Sequence, residues 1–225
     1  MKFLHYAFAT GALLSLCACT VAVTPSSPSA VVTADSVIAV EGFDATFFRA
    51  LLQNGYESPN HLQAVRILTL PFRVYMRTDD DAGRPVPVET LDATERTLIE
   101  SAPIWSGGTF GITEVIRGTG SKEKTPGWIT VKWSANPGTG RCGLSSIGVD
   151  GGFIQLNTSG ECSCGLPTLV YPRVVRHELG HAMGYYHTDN FNDVMYGKPI
   201  TSLSCDIQPS DREWRHAIIA HRQSN

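Results

Sequence analysis

Apolar residues recur at helical spacing over Phe43 to Leu52 (FDATFFRALL) and stop at Asn54-Gly55, which predicts a short helix ended by a glycine. Ile67 to Met76 (ILTLPFRVYM) is rich in strand formers, but Pro71 breaks its first half and leaves Phe72 to Arg77 as a strand. Asp92 to Trp105 reads as a helix, with Asp92 a candidate N-cap, Glu95 three residues on, and Pro103 weakening the last turn. Thr109 to Arg117 and Trp128 to Ser134 alternate as strands. Cys142 to Val149 and Gly152 to Asn157 flank Asp150-Gly151, the signature of a two-residue hairpin turn. Helix returns around Pro172, and Ser210-Asp211-Arg212-Glu213 ahead of Trp214 to Arg222 is a capping box that opens a final helix. The order strand, helix, several strands, helix, irregular loop, helix is an α+β layout.

The first residues follow another pattern. Lys2, an apolar stretch from Phe3 to Leu16 broken by His5 and Thr10, and the small Ala18 form a secretory signal. The stretch is shorter than the roughly 20 residues of a membrane-spanning helix. Its end, Leu16-Cys17-Ala18-Cys19, resembles a bacterial lipobox and makes Cys19 the residue that receives the lipid; Cys17 is an unusual occupant, and simple secretion is the rival reading. These features divide the chain into a lipoprotein-type signal peptide (1–18), a Pro- and Ser/Thr-containing flexible tether (19–40), a helical arm (41–64) and the main domain (65–225). The arm reads as a remnant pro-segment or a packing element. The expected location is the bacterial cell envelope through a lipid anchor, at the outer membrane or facing the periplasm, and otherwise secretion.

Composition narrows the classes. With 18 Lys+Arg against 21 Asp+Glu, a net charge of −3 and 42% hydrophobic residues, the chain is neither a disordered segment nor a nucleic-acid binder with a basic footprint. After export, Cys142, Cys162, Cys164 and Cys205 remain, an even number in an oxidising compartment, and disulfides are the default. Four cysteines allow three connectivities. A two-residue turn at Asp150-Gly151 brings Cys142 level with residue 159, which favours Cys142 with Cys162 and, by elimination, Cys164 with Cys205.

Residues 177–187 read HELGHAMGYYH, with His177, Glu178, His181, Gly184 and His187. On a helix, residues four apart share a face, so His177 and His181 present imidazoles to one metal with Glu178 beside them. Gly184 suits the left-handed residue that ends a helix, turning the chain so that His187 arrives as a third ligand. Three neutral nitrogens leave a fourth position open, the pattern of a catalytic zinc site. Random placement of seven His, ten Glu and 21 Gly yields HExxHxxGxxH with probability on the order of 10⁻⁵, which sets aside the reading of ordinary core or surface histidines. His61, His216 and His221 have no such company and read as ordinary polar residues.

The extended motif resembles that of the metzincin zinc endopeptidases, whose metal sits above a Met-containing turn. Asp193-Val194-Met195-Tyr196 supplies such a turn, and Tyr196 directly after Met195 is similar to the matrixin (matrix metalloproteinase-like) branch. The resemblance implies a zincin-like catalytic domain with a twisted mixed β-sheet, an active-site helix, a Met-turn and a C-terminal helix. It implies one catalytic Zn²⁺ held by His177, His181 and His187, Glu178 as general base, Met195 as the hydrophobic base of the site and Tyr196 lining the substrate pocket. Arg141-Cys142-Gly143 only superficially echoes a matrixin's latency cysteine, the ligands of a second zinc are not recognisable, and calcium is left undecided. The expected activity is peptide-bond hydrolysis by a monomer, with a protein substrate bound as an extended strand along Cys142 to Val149. The alternative is a catalytically idle zinc-binding lipoprotein that grips extended peptides; the intact Glu178 argues against it.

Overall fold

The computed structural model describes residues 31–32, 42–135, 141–159, 162–163, 168–198 and 205–223. The signal peptide, Cys19 and Cys164 lie outside them, as does most of the segment read as a tether. Two residues of that segment, Val31–Val32, form strand β1, antiparallel to β2 (Val65–Arg66).

Helix α1 (Ala45–Gln53) starts two residues inside the expected stretch Phe43 to Leu52. Asp44 caps it by accepting the Thr46 and Phe47 N–H groups at 2.9 and 3.0 Å. Its end differs by one residue from expectation, because Asn54 itself takes the left-handed conformation at φ 57°. Phe47, Phe48, Leu51 and Leu52 enter the main core, so the arm is a packing element of the same hydrophobic unit. It also meets the last helix: the Asp44 N–H donates to His216 Nε2 at 3.1 Å, and Phe47 packs edge-on to the His216 ring.

Strand β3 (Phe72–Asp80) follows Pro71, then comes α2 (Val88–Trp105). The helix begins four residues before the expected Asp92, after the extended Pro87. Asp92 and Glu95 are one turn apart on its outer face, where both pair with Arg117 of β4 (Ile112–Gly118) at 2.8 and 2.6 Å. The acidic pair that resembles a capping box is thus a tie between helix and sheet. Strands β5 (Trp128–Ser134), β6 (Gly143–Ser145) and β7 (Phe153–Asn157) complete a five-stranded sheet of order β4-β3-β5-β7-β6. All pairs are parallel except β6 with β7. The crossover through α2 satisfies the long connection that the parallel β3/β4 pair requires.

Asp150-Gly151 forms the expected tight turn, with Gly152 N–H donating to Val149 O at 3.0 Å, but the turn does not close the strand ladder directly. Gly143 lies opposite Leu156, so Cys142 faces Asn157, and the chain crosses between the strands through a longer loop, 146–152. Neighbouring segments hold that loop open: Asp150 accepts the Gly127 N–H at 2.6 Å, Gly151 O the Lys124 N–H at 2.7 Å, and His181 O the Gly148 N–H at 3.1 Å. Cys142 and Cys162 are nevertheless joined as expected. Cys205 is disulfide-bonded as well, while its expected partner Cys164 lies outside the described residues.

Helix α3 (Pro172–Met183) opens with Pro172 at its first turn and ends at Gly184, φ 115°. Gly184 is needed for space as well as conformation, since a methyl there would stand 1.9 Å from Arg66 O. The indole N–H of Trp105, at the end of α2, donates to Arg176 O at 3.0 Å, and the Tyr185 hydroxyl to Trp105 O at 2.5 Å. Helix α4 (Asp211–Gln223) carries the expected capping box: Glu213 N–H reaches Ser210 Oγ at 3.2 Å and Ser210 N–H reaches Glu213 at 2.7 Å. The result is the α+β architecture read from the sequence. No described helix is long and apolar enough to cross a membrane.

Candidate metal centre

Two turns of α3 and the irregular chain beyond Gly184 bring His177, His181 and His187 together. The His187 Nε2 lies 3.3 Å from that of His177 and 3.1 Å from that of His181. Each ring's other nitrogen has an acceptor. His177 Nδ1–H donates to Val194 O at 2.7 Å, His181 Nδ1–H to Tyr185 O at 2.7 Å, and His187 Nδ1–H to Glu57 Oε1 at 2.6 Å. With all three protons placed on Nδ1, three bare Nε2 lone pairs face one another. Burial, together with the neighbouring rings, holds His177 down to about 4 and His181 well below the usual histidine value, so both stay neutral.

Glu178 stands beside the cluster on α3 and is buried. Its carboxylate accepts the Ser145 hydroxyl at 2.9 Å. Burial pushes the carboxyl up to about 8, and the Ser145 bond draws it part of the way back. It lies so close to strand β6 that a methyl on Gly143 would stand 2.4 Å from Glu178 Oε1. The glutamate is therefore wedged between its own helix and the edge strand.

Met195 is fully buried beneath α3, and a methyl at Gly180 would stand 2.5 Å from its sulfur. The glycine of HELGH thus makes room for the methionine. The turn is fixed from α4: Glu213 accepts the Val194 and Met195 N–H groups at 3.0 and 2.8 Å. Asp193 accepts the Thr188 and Ser210 hydroxyls and Arg212 at 2.9, 2.8 and 3.1 Å. Because Val194 O holds the His177 ring, the turn around Met195 orients that histidine as well as packing below it. Tyr196 bridges to Thr188 and is partly exposed.

Burial and the adjacent Asp193 push Glu213 up to about 7 from an ordinary 4.5, while its three backbone N–H donors hold it back. A carboxyl raised on folding stabilises most below its ordinary value and loses that stabilisation as pH rises towards 7. Glu213→Gln should therefore melt at a lower temperature than the wild type at pH 4.5, yet lose less on going to pH 7. Parallel melting curves with equal slopes in pH would contradict this assignment.

All three predicted ligands and Glu178 are thus brought together, whereas His216 and His221 serve elsewhere as buried hydrogen-bonding residues. His216 bonds Arg212 O at 2.8 Å and His221 bonds Trp105 O at 3.1 Å. Glu57, Ser145, Gly143 and Glu213 are contributors that sequence reading did not assign to the site. Ser210 to Glu213 was legible as a cap, but nothing in its spacing shows that the same carboxylate reaches the Met-turn.

Residues 109–202 match the family described as Dual-action HEIGH metallo-peptidase, Peptidase M57. None of the curated protein sequences matches the chain. Among solved structures, the crystal structure of metalloproteinase-II from Bacteroides fragilis aligns with a TM-score of 0.44 and 14% identity, over 68% of this chain and 54% of that one. The chain therefore spans about half the length of that structure, and the likeness is too distant to bear on residues or activity. The histidine cluster and Glu178 lie inside the stretch, residues 109–202, that matches this metallopeptidase family.

Proposed function

We propose that the protein is a matrixin-like zinc endopeptidase that cleaves peptide bonds within proteins, with His177, His181 and His187 as metal ligands and Glu178 as general base. The convergence of three Nε2 atoms carries this reading. Two nitrogens bound to a tetrahedral zinc at about 2.05 Å lie about 3.3 Å apart, and the two separations here are 3.3 and 3.1 Å. The buried Glu178 carboxylate has the Ser145 hydroxyl as its side-chain partner, and a cation held at the histidines would supply the positive charge it faces. Cysteines are absent from the cluster and the ligand set is all nitrogen, which suits a catalytic zinc and not a closed structural one.

When bound, zinc supplies a Lewis acid that polarises the scissile carbonyl and lowers the pKa of water. Glu178 takes the proton of the attacking water and passes it to the leaving amine. Its wedged position, with Ser145 on one oxygen, limits the carboxylate to a small range of orientations, which is what positioned proton transfer requires. Tyr196, directly after Met195 and partly exposed, supports the matrixin-like reading as a wall of the substrate pocket. Metal content measured alongside cleavage of an unfolded protein, with and without chelator, tests the whole proposal. Zinc present without chelator-sensitive cleavage would leave the idle-binder alternative; no zinc at all would remove both.

The substrate lies along β6. No described strand pairs with its outer side. Asn157 N–H donates to Cys142 O and Ser146 N–H to Phe153 O, so the alternation of the ladder turns the backbone groups of Gly143 and Ser145 outward. An extended peptide can add there as a further strand. Ser145→Pro should raise KM about tenfold or more beyond Ser145→Ala, which loses the hydroxyl but keeps the N–H. Equal KM values in the two folded variants would place the groove elsewhere. The anchor belongs to the same proposal: Cys19→Ala should release the protein from the membrane fraction, and unchanged membrane association and processing would refute lipidation at that residue.

A further inference from the structure

We infer that Glu57, in the arm preceding the family-matched stretch, is a positioning residue for the metal: its carboxylate orients His187 and makes that imidazole a stronger ligand. This rests on the zinc reading above. The two helical ligands have their Nδ1–H groups fixed by backbone carbonyls, Val194 O and Tyr185 O. His187 belongs to no helix or strand, so its ring has no regular element to hold it. Its Nδ1–H meets Glu57 Oε1 at 2.6 Å, across 130 positions of sequence. A ring nitrogen bonded to a carboxylate keeps the tautomer that leaves Nε2 bare and holds the ring in one orientation.

Glu57 is held by a built loop. The Leu51 carbonyl near the end of α1 accepts the Tyr186 N–H at 2.7 Å, which pins the helix to the residue next to His187. The turn beyond α1 is closed by Gly55 N–H to Arg49 O at 2.8 Å and Ser58 N–H to Asn54 O at 2.9 Å, with Glu57 inside it. The ring is also confined by Gly197, where a methyl would stand 2.8 Å from His187 Cγ. Carboxylate and glycine backbone together fix the plane in which Nε2 points at the other two ligands. Glu57 is itself exposed, so its hydrogen bond to His187 adds little to folding stability, and its effect falls on the metal.

The test is zinc affinity of the full chain, by competition with a chromophoric chelator, for wild type, Glu57→Ala and Glu57→Gln, with Glu114→Ala on the distant edge strand β4 as control. Loss of such a partner typically weakens metal binding about 10- to 100-fold. Glu57→Ala should show that loss and Glu57→Gln a smaller one, since its carbonyl oxygen still accepts the Nδ1–H. Zinc-free melting temperatures should match in all four proteins. The ¹⁵N signal of the His187 Nδ1 should shift in Glu57→Ala. Wild-type affinity in Glu57→Ala overturns the inference. So does equal loss in both Glu57 variants accompanied by lowered zinc-free melting, which would reduce Glu57 to a structural support. A wild type that binds no zinc would instead overturn the metal reading, and this inference with it.

Discussion

Glu178→Ala is expected to retain its zinc and to cleave protein about 10²- to 10⁴-fold more slowly than the wild type. On the proposed mechanism the change removes the proton acceptor and no metal ligand: His177, His181 and His187 keep their acceptors at Val194 O, Tyr185 O and Glu57. It also removes a buried carboxyl that burial pushes up to about 8, so the metal-free variant should be no less stable at neutral pH, apart from the small space left beside Gly143. Glu178→Gln separates shape from proton transfer, because it fills the same wedge and can still meet the Ser145 hydroxyl. Both variants should therefore fall together in kcat with little change in KM. Cleavage by Glu178→Ala at the wild-type rate would end the general-base assignment, even with zinc in place.

His181→Ala should fail in a different way, by losing metal. His181 is the most enclosed of the three histidines, edge-on to the rings of both His177 and His187 with centroids 4.7 Å from each. If roughly 10 kcal/mol of apparent zinc binding is spread over three protein ligands, one of them carries about 3 kcal/mol, or about 10²-fold in affinity. Activity should track occupancy and recover in part when zinc is added in excess. The vacated space also leaves Tyr185 O without the Nδ1–H donor, so a modest drop in melting temperature should accompany the loss. A His181→Ala variant with wild-type zinc affinity would mean that the metal is held elsewhere.

Local signals were read well wherever one stretch of chain decides its own conformation. The helix-and-glycine logic of residues 177–187 needs only spacing four apart and a left-handed stop, and Gly184 takes that conformation at φ 115°. The Ser210 to Glu213 cap is likewise self-contained. Signals failed where a distant partner outbids the local one. Asp92 and Glu95 have the spacing of a cap, but Arg117 on the neighbouring strand claims both carboxylates. Asp150-Gly151 does form a tight turn, but that turn sits at the tip of a wider loop tied to Gly127 N–H and Lys124 N–H, and the strands below it pair two residues out of the register a directly closed hairpin would have. Glu57 was invisible for the same reason, since no periodicity links it to a histidine 130 positions away.

The closure between arm and last helix has a kinetic consequence. Asp44 meets His216 across 172 positions, Glu213 secures the Met-turn 18 to 19 positions earlier, and Glu57 reaches forward to His187. Contacts of such high sequence separation form late, because the entropy of closing the intervening chain is spent before they return any energy. A chain still emerging, with residues 210–216 not yet in place, holds the HELGH helix over a turn that Glu213 has not secured and beside an arm that His216 has not tied. If the site hydrolyses peptides as proposed, its competence arrives only with the finished topology, and an incompletely folded copy would be a poor catalyst towards its own unfolded neighbours.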